Sequence, residues 1–505
     1  MKTTKKNIGD QLQTRHSTSY LVLVFSLLVF TLTSCKKFVQ VPAPDSQLVT
    51  STVFSNNATA TSAVLGIYTQ MFQNGESYNI SSANGLLADE LADNTSTPLI
   101  YYLDFTNATL SSGATFGEWF NAYSYIYQAN AVLAGLQQYS GTSPAVKNQL
   151  MGEAYFIRAF WHFYLTNCYG AVPVALTTNY TVTSKLARTP RVQVLQQVIS
   201  DLNAAIPLLN SNYVDASDTL ATNQRVTPNK AVAQALLARA YLYFADYDSK
   251  NMTDYQHAEM EADSVIGNST YSLCTNLSGP NSVFLANSSE AIWQLYTPLP
   301  SSYDTQDGYS YILVAAPGGG NCTISTQLLN AFEPGDKRFA NWIGSINAGG
   351  TNYYFPYKYQ TTTYTGTEYT MVLRLAEQYL IRAEARAEQN NLIGANSAVS
   401  DLNVIRARAG LPNYAGATDQ ASLLTAILHE RQVELFTEWG HRWFDLNRAL
   451  KNNPTGVNVN SVLGSPGNVC QYKGGTWSSS DYQELYPIPF AELKVDVNLT
   501  QNAGY

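Results

Sequence analysis

The sequence MVLRLAEQYLIRAEARAE at residues 371–388, followed by IGANSAVSDLNVIRARA at residues 393–409, decides the predicted fold. Each segment is long enough for a helix, and a short loop joins the two. Small side chains recur in both segments, as two packed helices need where their backbones approach closely. These small residues are Ala376, Ala383, Ala387, Ala395 and Ala398. The stretch therefore predicts two helices packed as a pair.

Helical periodicity predicts two more pairs of the same kind. Residues 144–166 are followed by residues 190–209, and residues 228–244 by residues 255–266. Three helices are expected to begin at a hydroxyl-proline step, where the hydroxyl caps the helix and proline loses no hydrogen bond. These steps are Ser143-Pro144, Thr189-Pro190 and Thr227-Pro228. With a last long helix at residues 421–439, the predicted fold is mainly α, a scaffold of tetratricopeptide-like helical pairs.

Four long stretches carry neither helical periodicity nor strong charge: residues 75–117, 271–320, 344–366 and 452–477. Loops of this length inside a folded domain are usually functional. Short strands are expected within them, for instance at residues 291–296, but only as a minor fraction. The second half of the predicted fold is therefore irregular and rich in loops.

The N-terminal residues read as a lipoprotein signal peptide. Lysines and Arg15 precede an apolar run at residues 20–32, which is too short to cross a bilayer as a mature helix. The sequence LTSC then ends at Cys35, with a small residue just before the cysteine and an apolar residue three before it. We expect residues 1–34 to be removed and Cys35 to carry acyl chains such as palmitate. The alternative is an ordinary secretory signal with a chance cysteine.

Composition limits the remaining chain to a folded, tethered body. Residues 35–50 are expected to form an extended tether, and residues 51–270 and 271–505 one compact unit. Apolar residues make up 45% of the chain and charged residues 13%, which excludes disorder. A net charge of -8 opposes a nucleic-acid partner. No apolar run of about 18 residues follows Cys35, so no further membrane span is expected.

Cysteine and histidine spacing predicts neither a metal site nor a redox motif. The remaining cysteines are Cys168, Cys274, Cys322 and Cys470, with no C-x-x-C spacing, and their disulfide pairing stays open. We expect no cofactor, although the sequence leaves open whether calcium holds the loops.

Three glutamates spaced by four residues, Glu430, Glu434 and Glu438, share one face of the last long helix. Such spacing would permit a paired-carboxylate glycosidase site. Arginines in the same and neighbouring helices favour a structural ion-pair network instead, because cations lower carboxylate pKa values when a general acid needs a raised one. The predicted network comprises Arg374, Glu377, Arg382, Glu384, Glu430, Arg431, Glu434, Glu438 and Arg442.

Four motifs in order carry a resemblance to a known family. They are EAYFIRA at 153–159 leading into CYGAVPV at 168–174, LRLAE at 373–377 with RAEA at 382–385, ERQVEL at 430–435 with RWFDL at 442–446, and YPIP at 486–489 leading to the C-terminus. With these motifs the chain resembles the SusD/RagB nutrient-binding lipoproteins of the Bacteroidetes outer membrane, along nearly its whole length.

The resemblance implies a non-enzymatic lipoprotein of the outer membrane. Members of this family cover a SusC-like TonB-dependent transporter and capture oligosaccharide or, in some branches, peptide. Acidic residues often follow the lipidated cysteine of surface-exposed members, whereas Lys36 and Lys37 follow Cys35 here. Display toward the cell exterior is the expectation, and the lysines leave it open.

Tyrosine-rich loops are the predicted ligand site, because a flat ring covers the apolar face of a sugar and its hydroxyl bonds the rim. The family's ligand site implies the candidates Tyr78, Tyr101, Tyr102, Asp104, Tyr303, Tyr309 and Tyr311. The alternative for each tyrosine is a packing role between loop and helix. For the protein, a peptide-binding lid, a hydrolase and a pure assembly scaffold are the alternatives to an oligosaccharide-binding protein.

Overall fold

Helices dominate the computed structural model, which describes residues 50–93, 117–296, 301–318, 321–451, 485–503 and 505. The helices of these residues are α1 Thr50–Val53, α2 Asn57–Gln73, α3 Glu76–Leu87, α4 Gly117–Gln138, α5 Pro144–Tyr169, α6 Tyr180–Thr183, α7 Arg191–Ala205, α8 Lys230–Tyr247, α9 Met252–Ile266, α10 Gln306–Tyr311, α11 Thr326–Ala331, α12 Lys337–Trp342, α13 Leu375–Glu388, α14 Ala398–Arg408, α15 Gln420–Leu435, α16 His441–Lys451 and α17 Phe490–Val495. The strands are β1 Leu91–Asp93, β2 Ala291–Leu295, β3 Cys322–Ile324, β4 Ile343–Ala348, β5 Thr351–Pro356 and β6 Thr370–Arg374. The predicted mainly helical fold is confirmed.

The long helices form one continuous array in chain order. Helix α4 packs on α5, α5 on α7, α7 on α8, α8 on α9, α9 on α13, and α13 on α14 and α15. Close approach is possible because the interior faces carry many alanines; α8 alone buries Ala231, Ala233, Ala235, Ala238 and Ala240. The described residues from Ser51 onward belong to one compact unit.

Aromatic side chains fill the space between this array and the irregular half. Trp119, Trp161, Trp293 and Trp443 are all buried, as expected from their regular, apolar segments. Trp342, which the sequence left undecided, is buried in a second core cluster, while Trp477 lies outside the described residues. In the described part of the chain, no helix has both the length and the apolar character that a membrane span needs.

The start of the 371–388 segment is a strand rather than a helix. Residues 370–374 form β6, which pairs antiparallel with β2, and the helix begins only at Leu375. All five residues of β6 are buried, so apolar side chains point to both faces. A short continuous apolar run cannot be told from a buried helical turn by periodicity, which explains the wrong prediction.

The stretch at residues 75–117, predicted to lack helical periodicity, contains helix α3. Its buried face consists largely of small or polar side chains, among them Ser77, Ser81, Ser82, Ala83 and Asn84. Apolar periodicity was absent because close packing here uses small residues instead of large hydrophobic ones.

Only one of the three proline steps begins a helix, and there the predicted hydroxyl cap is wrong, because the Ser143 hydroxyl accepts from Asn57 instead of capping the helix. Pro144 occupies the first turn of α5, but Pro190 lies before α7 and α8 begins at Lys230. At α8 the cap is Asn229, whose side chain accepts a hydrogen bond from the backbone of Val232. The segment predicted as one helix at 421–439 ends at Leu435, because residues 437, 439 and 440 adopt positive φ before α16 begins.

The C-terminal segment is fixed to the end of α5. The backbone N–H of Tyr486 donates to Cys168 at 2.8 Å, and the Tyr486 hydroxyl donates to Asn84 at 3.0 Å. The Asn502 amide donates to the carbonyl oxygens of Tyr169 and Tyr486. Two motifs that are about 320 residues apart in sequence are therefore one structural unit.

The strands pair only two by two, and they position the irregular half. Strand β1 pairs with β3 through Leu91 and Ile324, which brings the end of α3 beside residues 322–324. Strands β4 and β5 form a hairpin within the stretch predicted as an irregular loop at 344–366. Cys168 and Cys274 are buried free thiols, Cys322 is buried in β3, and Cys470 lies outside the described residues.

Candidate functional site

A surface cleft of about 540 Å³ lies between α3, the segment around α10 and the loop that follows β5. It is lined by Tyr78, Tyr309, Ser310, Ile312, Leu313, Val314, Ala315, Ala316, Asn321, Thr362 and Thr363. Aromatic, aliphatic and hydroxyl groups thus meet in one concave surface, which suits a ligand with both apolar and polar faces.

Tyr309 is the exposed aromatic ring of the cleft, with 54% of its surface accessible. Its ring stacks on Tyr303 with 5.0 Å between centroids and 27° between planes. Tyr303 in turn contacts Phe72 of α2, and its hydroxyl donates to Gln306 at 2.6 Å. The outer face of Tyr309 is therefore held in a fixed orientation while it remains open to solvent.

Tyr78 extends the same surface from α3. Its ring meets Tyr311 edge-on, with 4.9 Å between centroids. Tyr311 itself is only 3% exposed and packs with Leu86 and Leu91, so it lies beneath the cleft and is not among the residues that line it. It supports Tyr78 from below, because α10 is a single short helix that directs Tyr309 outward and Tyr311 inward.

The remaining sequence candidates divide into two groups. Tyr303 lies behind Tyr309 and fixes its ring, while Tyr101, Tyr102 and Asp104 lie outside the described residues and stay predictions. The sequence missed the aliphatic residues at 312–316 and the threonines at 362–363. The one signal that could have pointed to the threonines is the run TTTYTGT at 361–367, which alternates hydroxyl residues with a tyrosine and a glycine.

Two aspartates at the start of α10 have opposite electrostatic environments. Asp304 accepts hydrogen bonds from the Thr365 hydroxyl at 2.5 Å and from the backbone N–H groups of Thr365 and Gly366, both at 2.7 Å. Burial alone would raise the pKa of its carboxyl, but these bonds, the one from the Thr365 hydroxyl first, hold that pKa below the usual range. Asp307 is buried beneath the cleft, where its Oδ1 accepts a 3.3 Å bond from Ser77 and its Oδ2 has no hydrogen-bond partner among the residues that the structure describes. Burial raises the pKa of Asp307 to about 7.

Asp307→Asn is expected to stabilise the fold at pH 8 by about 2 kcal/mol or more, because an amide removes the cost of a buried, unpaired charge. The folded-state pKa of about 7 lies above the ordinary 3.8, so the native protein holds this proton more tightly than the unfolded chain does. The contribution of Asp307 to the free energy of unfolding is therefore fully present below pH 3.8 and is lost as the pH rises through about 7. Urea denaturation at pH 5, 6.5 and 8 should show that the free energy of unfolding of the variant increasingly exceeds that of the natural protein as the pH rises.

The control for Asp307→Asn is Asp304→Asn, only three residues away. Because the pKa of Asp304 is lowered in the fold, its contribution is present above pH 3.8 and lost in acid, so this variant should be destabilised at neutral pH. Equal pH profiles for the two variants would contradict the assignment.

Glu434 lies at the centre of a buried ion-pair network. Its Oε1 accepts from Arg374 Nη1 at 2.6 Å and from Arg408 Nη2, and its Oε2 accepts from Arg338 Nη1 at 2.9 Å. Burial alone would raise its pKa, but the three guanidinium groups hold the pKa of Glu434 well below the ordinary value. The carboxyl is therefore ionised and unsuited to donate a proton.

Glu430 and Glu438 belong to the same network. Glu430 accepts from Arg338 at 2.6 Å, and Glu438 pairs with Arg374 at 2.7 Å and with the ammonium of Lys358. Burial lowers the pKa of Lys358 to about 8, although Glu438 opposes the shift. The ammonium also lies 4.0 Å from the ring centroid of Phe436 and so closes the network beneath the second core cluster.

The other charges of the predicted network are in buried or partly buried pairs, four of which join separate helices, while Arg442–Asp89 joins α16 to the turn between α3 and β1. The pairs are Arg239–Glu377, Arg382–Asp401, Arg448–Glu384, Arg431–Asp445 and Arg442–Asp89. The structure thus surrounds Arg374, Arg382, Arg431 and Arg442 with carboxylates. Sequence reasoning missed Arg239, Arg338, Lys358 and Arg448, whose partners Glu377, Glu430, Glu438 and Glu384 lie 64 or more residues away along the chain.

Two family models match the chain in sequence. Residues 322–505 match the model described as the SusD family, and residues 41–242 match one described as starch-binding associating with outer membrane. The matched regions contain the fixed C-terminal segment, the ion-pair network and the helices that contact them. The chain belongs to the SusD/RagB family.

Curated SusD-like proteins align along most of this SusD/RagB chain. A SusD-like protein of Formosa agariphila is 26% identical over 96% of this chain and 99% of its own length. The starch-binding protein SusD of Bacteroides thetaiotaomicron is 28% identical, but over 38% of this chain and 30% of that protein. The four motifs quoted from the sequence all lie within the residues that the two family models match.

Solved structures share the SusD/RagB fold with this protein. A SusD superfamily protein from Parabacteroides distasonis superposes with a TM-score of 0.71 and 21% identity, covering 88% of this chain and 99% of that one. Surface glycan-binding protein A from Bacteroides uniformis gives a TM-score of 0.71 with 20% identity, again covering 88% and 99%. At this identity the likeness establishes the fold.

No cluster of three or more His, Cys, Asp or Glu side chains able to hold a metal ion occurs among the residues that the structure describes.

Proposed function

We propose that this SusD/RagB protein binds glycan chains in the cleft at Tyr78 and Tyr309 and delivers them to a TonB-dependent transporter. In this proposal a lipid on Cys35 holds the protein at the outer membrane, facing the cell exterior. The observation that carries the proposal is the exposed ring of Tyr309, fixed by its stack on Tyr303 at the wall of the cleft. The family description, starch-binding associating with outer membrane, supports both the ligand class and the location.

The chemistry of the cleft suits a sugar. A sugar ring presents axial C–H groups on its faces and hydroxyls around its rim, so it stacks on an aromatic face and forms hydrogen bonds at its edge. Tyr309 supplies the aromatic face, Val314 and Ala315 supply aliphatic contact, and Thr363 supplies a hydroxyl wall. Because Tyr309 is already oriented by Tyr303, little conformational entropy is lost on binding.

Binding without hydrolysis is the proposed chemistry. The three glutamates that first suggested a glycosidase, Glu430, Glu434 and Glu438, are buried in ion pairs with arginines. Asp307, whose pKa is raised to about 7 by burial, is 2% exposed and does not line the cleft. A carboxyl that donates a proton to a glycosidic oxygen must reach the ligand, which these four groups do not.

Tyr309→Ala is expected to weaken glycan binding about tenfold, because the variant loses one stacking face and the aromatic area beside it. Isothermal titration of the full chain in detergent against starch, β-glucan, xylan and mannan fragments would identify the glycan and measure the loss. The matched control is Tyr127→Ala on α4, since Tyr127 is 56% exposed, close to the 54% of Tyr309, and does not line the cleft.

Circular dichroism should show equal folding of both variants. Unchanged affinity of Tyr309→Ala would contradict the site. Failure of every glycan to bind the natural protein, with binding of a peptide library instead, would favour the peptide-binding alternative.

A further inference from the structure

The loop at residues 361–369 forms a second wall of the cleft and continues beyond it. Thr362 and Thr363 line the cleft, and the next residue, Tyr364, is 57% exposed. The backbone N–H of Tyr364 donates to Ser302 at 3.0 Å, which places this loop beside the segment that carries Tyr303. Of the four exposed tyrosines in the described part of the chain, Tyr309 therefore lines the cleft and Tyr364 directly follows one of its lining residues.

A second aromatic stack lies at the far end of the same loop. Tyr369 and Tyr296 are stacked with 4.7 Å between centroids and 22° between planes. Tyr296 follows Leu295 and Tyr369 precedes Thr370, and these two neighbours are paired at the end of the β2–β6 sheet. The end of this sheet therefore holds the two rings face to face. Burial and then the nearby hydroxyls of Tyr296 and Tyr364 raise the pKa of Tyr369, consistent with three neighbouring phenols.

The loop at residues 361–369, which connects the cleft to the Tyr369–Tyr296 pair, is fixed by the buried carboxylate of Asp304. Asp304 accepts backbone hydrogen bonds from Thr365, Gly366, Thr367 and Glu368, at 2.7 to 3.1 Å. At the other side, Glu368 accepts from the backbone N–H of Gln360 at 2.7 Å. Gly366 has a φ of +74°, and the Tyr364 hydroxyl lies 3.8 Å from the position that a Cβ would take there. The exposed rings are thus presented on a preorganised backbone.

We propose that Tyr364, Tyr369 and Tyr296 form a second glycan subsite, which extends the cleft so that the protein selects long linear chains over short oligosaccharides. The inference rests on the proposed function, since it adds a subsite to the same ligand surface. Successive sugar units would stack first on Tyr309, which Tyr303 supports from behind, and then on Tyr364 and the Tyr369–Tyr296 pair. Each tyrosine ring adds contact area only when the glycan is long enough to reach it.

The test compares short and long oligosaccharides of one linkage. Size-graded malto-, cello-, xylo- and manno-oligosaccharides would be titrated into the full chain, and into Tyr364→Ala, Tyr369→Ala and Tyr127→Ala. Tyr364→Ala and Tyr369→Ala should leave the affinity for the shortest binding oligosaccharide unchanged and lower that for long chains about threefold to tenfold. Tyr127→Ala should match the natural protein at every length.

The outcomes separate this inference from the proposed function. If the natural protein binds one oligosaccharide series, but Tyr364→Ala lowers the affinity for all lengths equally or for none, the second subsite is refuted and the proposed site in the cleft is unaffected. If the natural protein binds none of the oligosaccharide series, both the proposed function and the second subsite are refuted. Because Tyr364 is exposed, Tyr364→Ala removes only its side chain and keeps the backbone hydrogen bond to Ser302. This variant therefore tests the second subsite even if Tyr369→Ala misfolds.

Discussion

Glu434→Gln is expected to destabilise the folded protein by about 3–5 kcal/mol. The substitution keeps the volume of the side chain but removes the charge that faces Arg338, Arg374 and Arg408. It also places an N–H donor against guanidinium donors in a site with no access to water. Equilibrium urea denaturation at pH 7 would measure the change in the free energy of unfolding.

The pH dependence of Glu434→Gln follows from the direction of the pKa shift. The pKa of Glu434 is lowered in the fold, so its stabilising contribution is present above the ordinary value of 4.5 and lost as the pH falls through the folded-state pKa. The difference between natural protein and variant should therefore narrow in acid. Glu259→Gln is the control, because Glu259 pairs with Arg386 near the surface and should contribute under about 1 kcal/mol. A Glu434 variant as stable as this control would contradict the assigned network.

Arg239→Met and Glu377→Met should each cost about 3–5 kcal/mol, whereas the double variant should be more stable than either single one. The two side chains form a bidentate pair, with both N–O distances at 2.6 Å and about 1% of each side chain exposed. Either single change leaves an unpaired charge between α8 and α13, and the double change leaves two apolar side chains of suitable size. A double-mutant cycle in urea measures the coupling.

The exposed pair Lys250–Glu388 provides the matched cycle. Its N–O distance is 3.1 Å, and 34% of the lysine side chain is accessible, so solvent screens the interaction. We expect a coupling energy under about 1 kcal/mol there. Additive effects in the Arg239–Glu377 cycle would mean that the buried pair does not stabilise the contact between the two helices.

These buried charges also explain why the family motifs contain so many arginines and glutamates. LRLAE at 373–377 contributes Arg374 and Glu377, and ERQVEL at 430–435 contributes Glu430, Arg431 and Glu434. Each of these side chains bonds to a residue on another element. The motifs therefore fix how the irregular half sits on the helical array, and the cleft is built on that fixed base.

Much of the scaffold could be predicted from local sequence. Helical periodicity located the long helices, and alanine spacing indicated close packing, because both patterns depend on residues within a turn or two of each other. The resemblance in four motifs pointed to the SusD/RagB family, and the glutamate spacing at 430, 434 and 438 indicated a shared helix face. The prediction failed at β6 and α3, where long-range packing overrides local pattern.

The candidate site shows the same division on a smaller scale. The sequence by itself determined that tyrosines concentrate in the loops, and it named both Tyr309 and Tyr311. Only the tertiary structure decided that Tyr309 faces solvent and Tyr311 is buried, and that Asp304 is fully bonded while Asp307 is not. A six-residue helix is too short for its periodicity to mark an inner face. The exposure of each side chain there depends on α3, β5 and residues 361–369, which reach α10 only when the whole chain has folded.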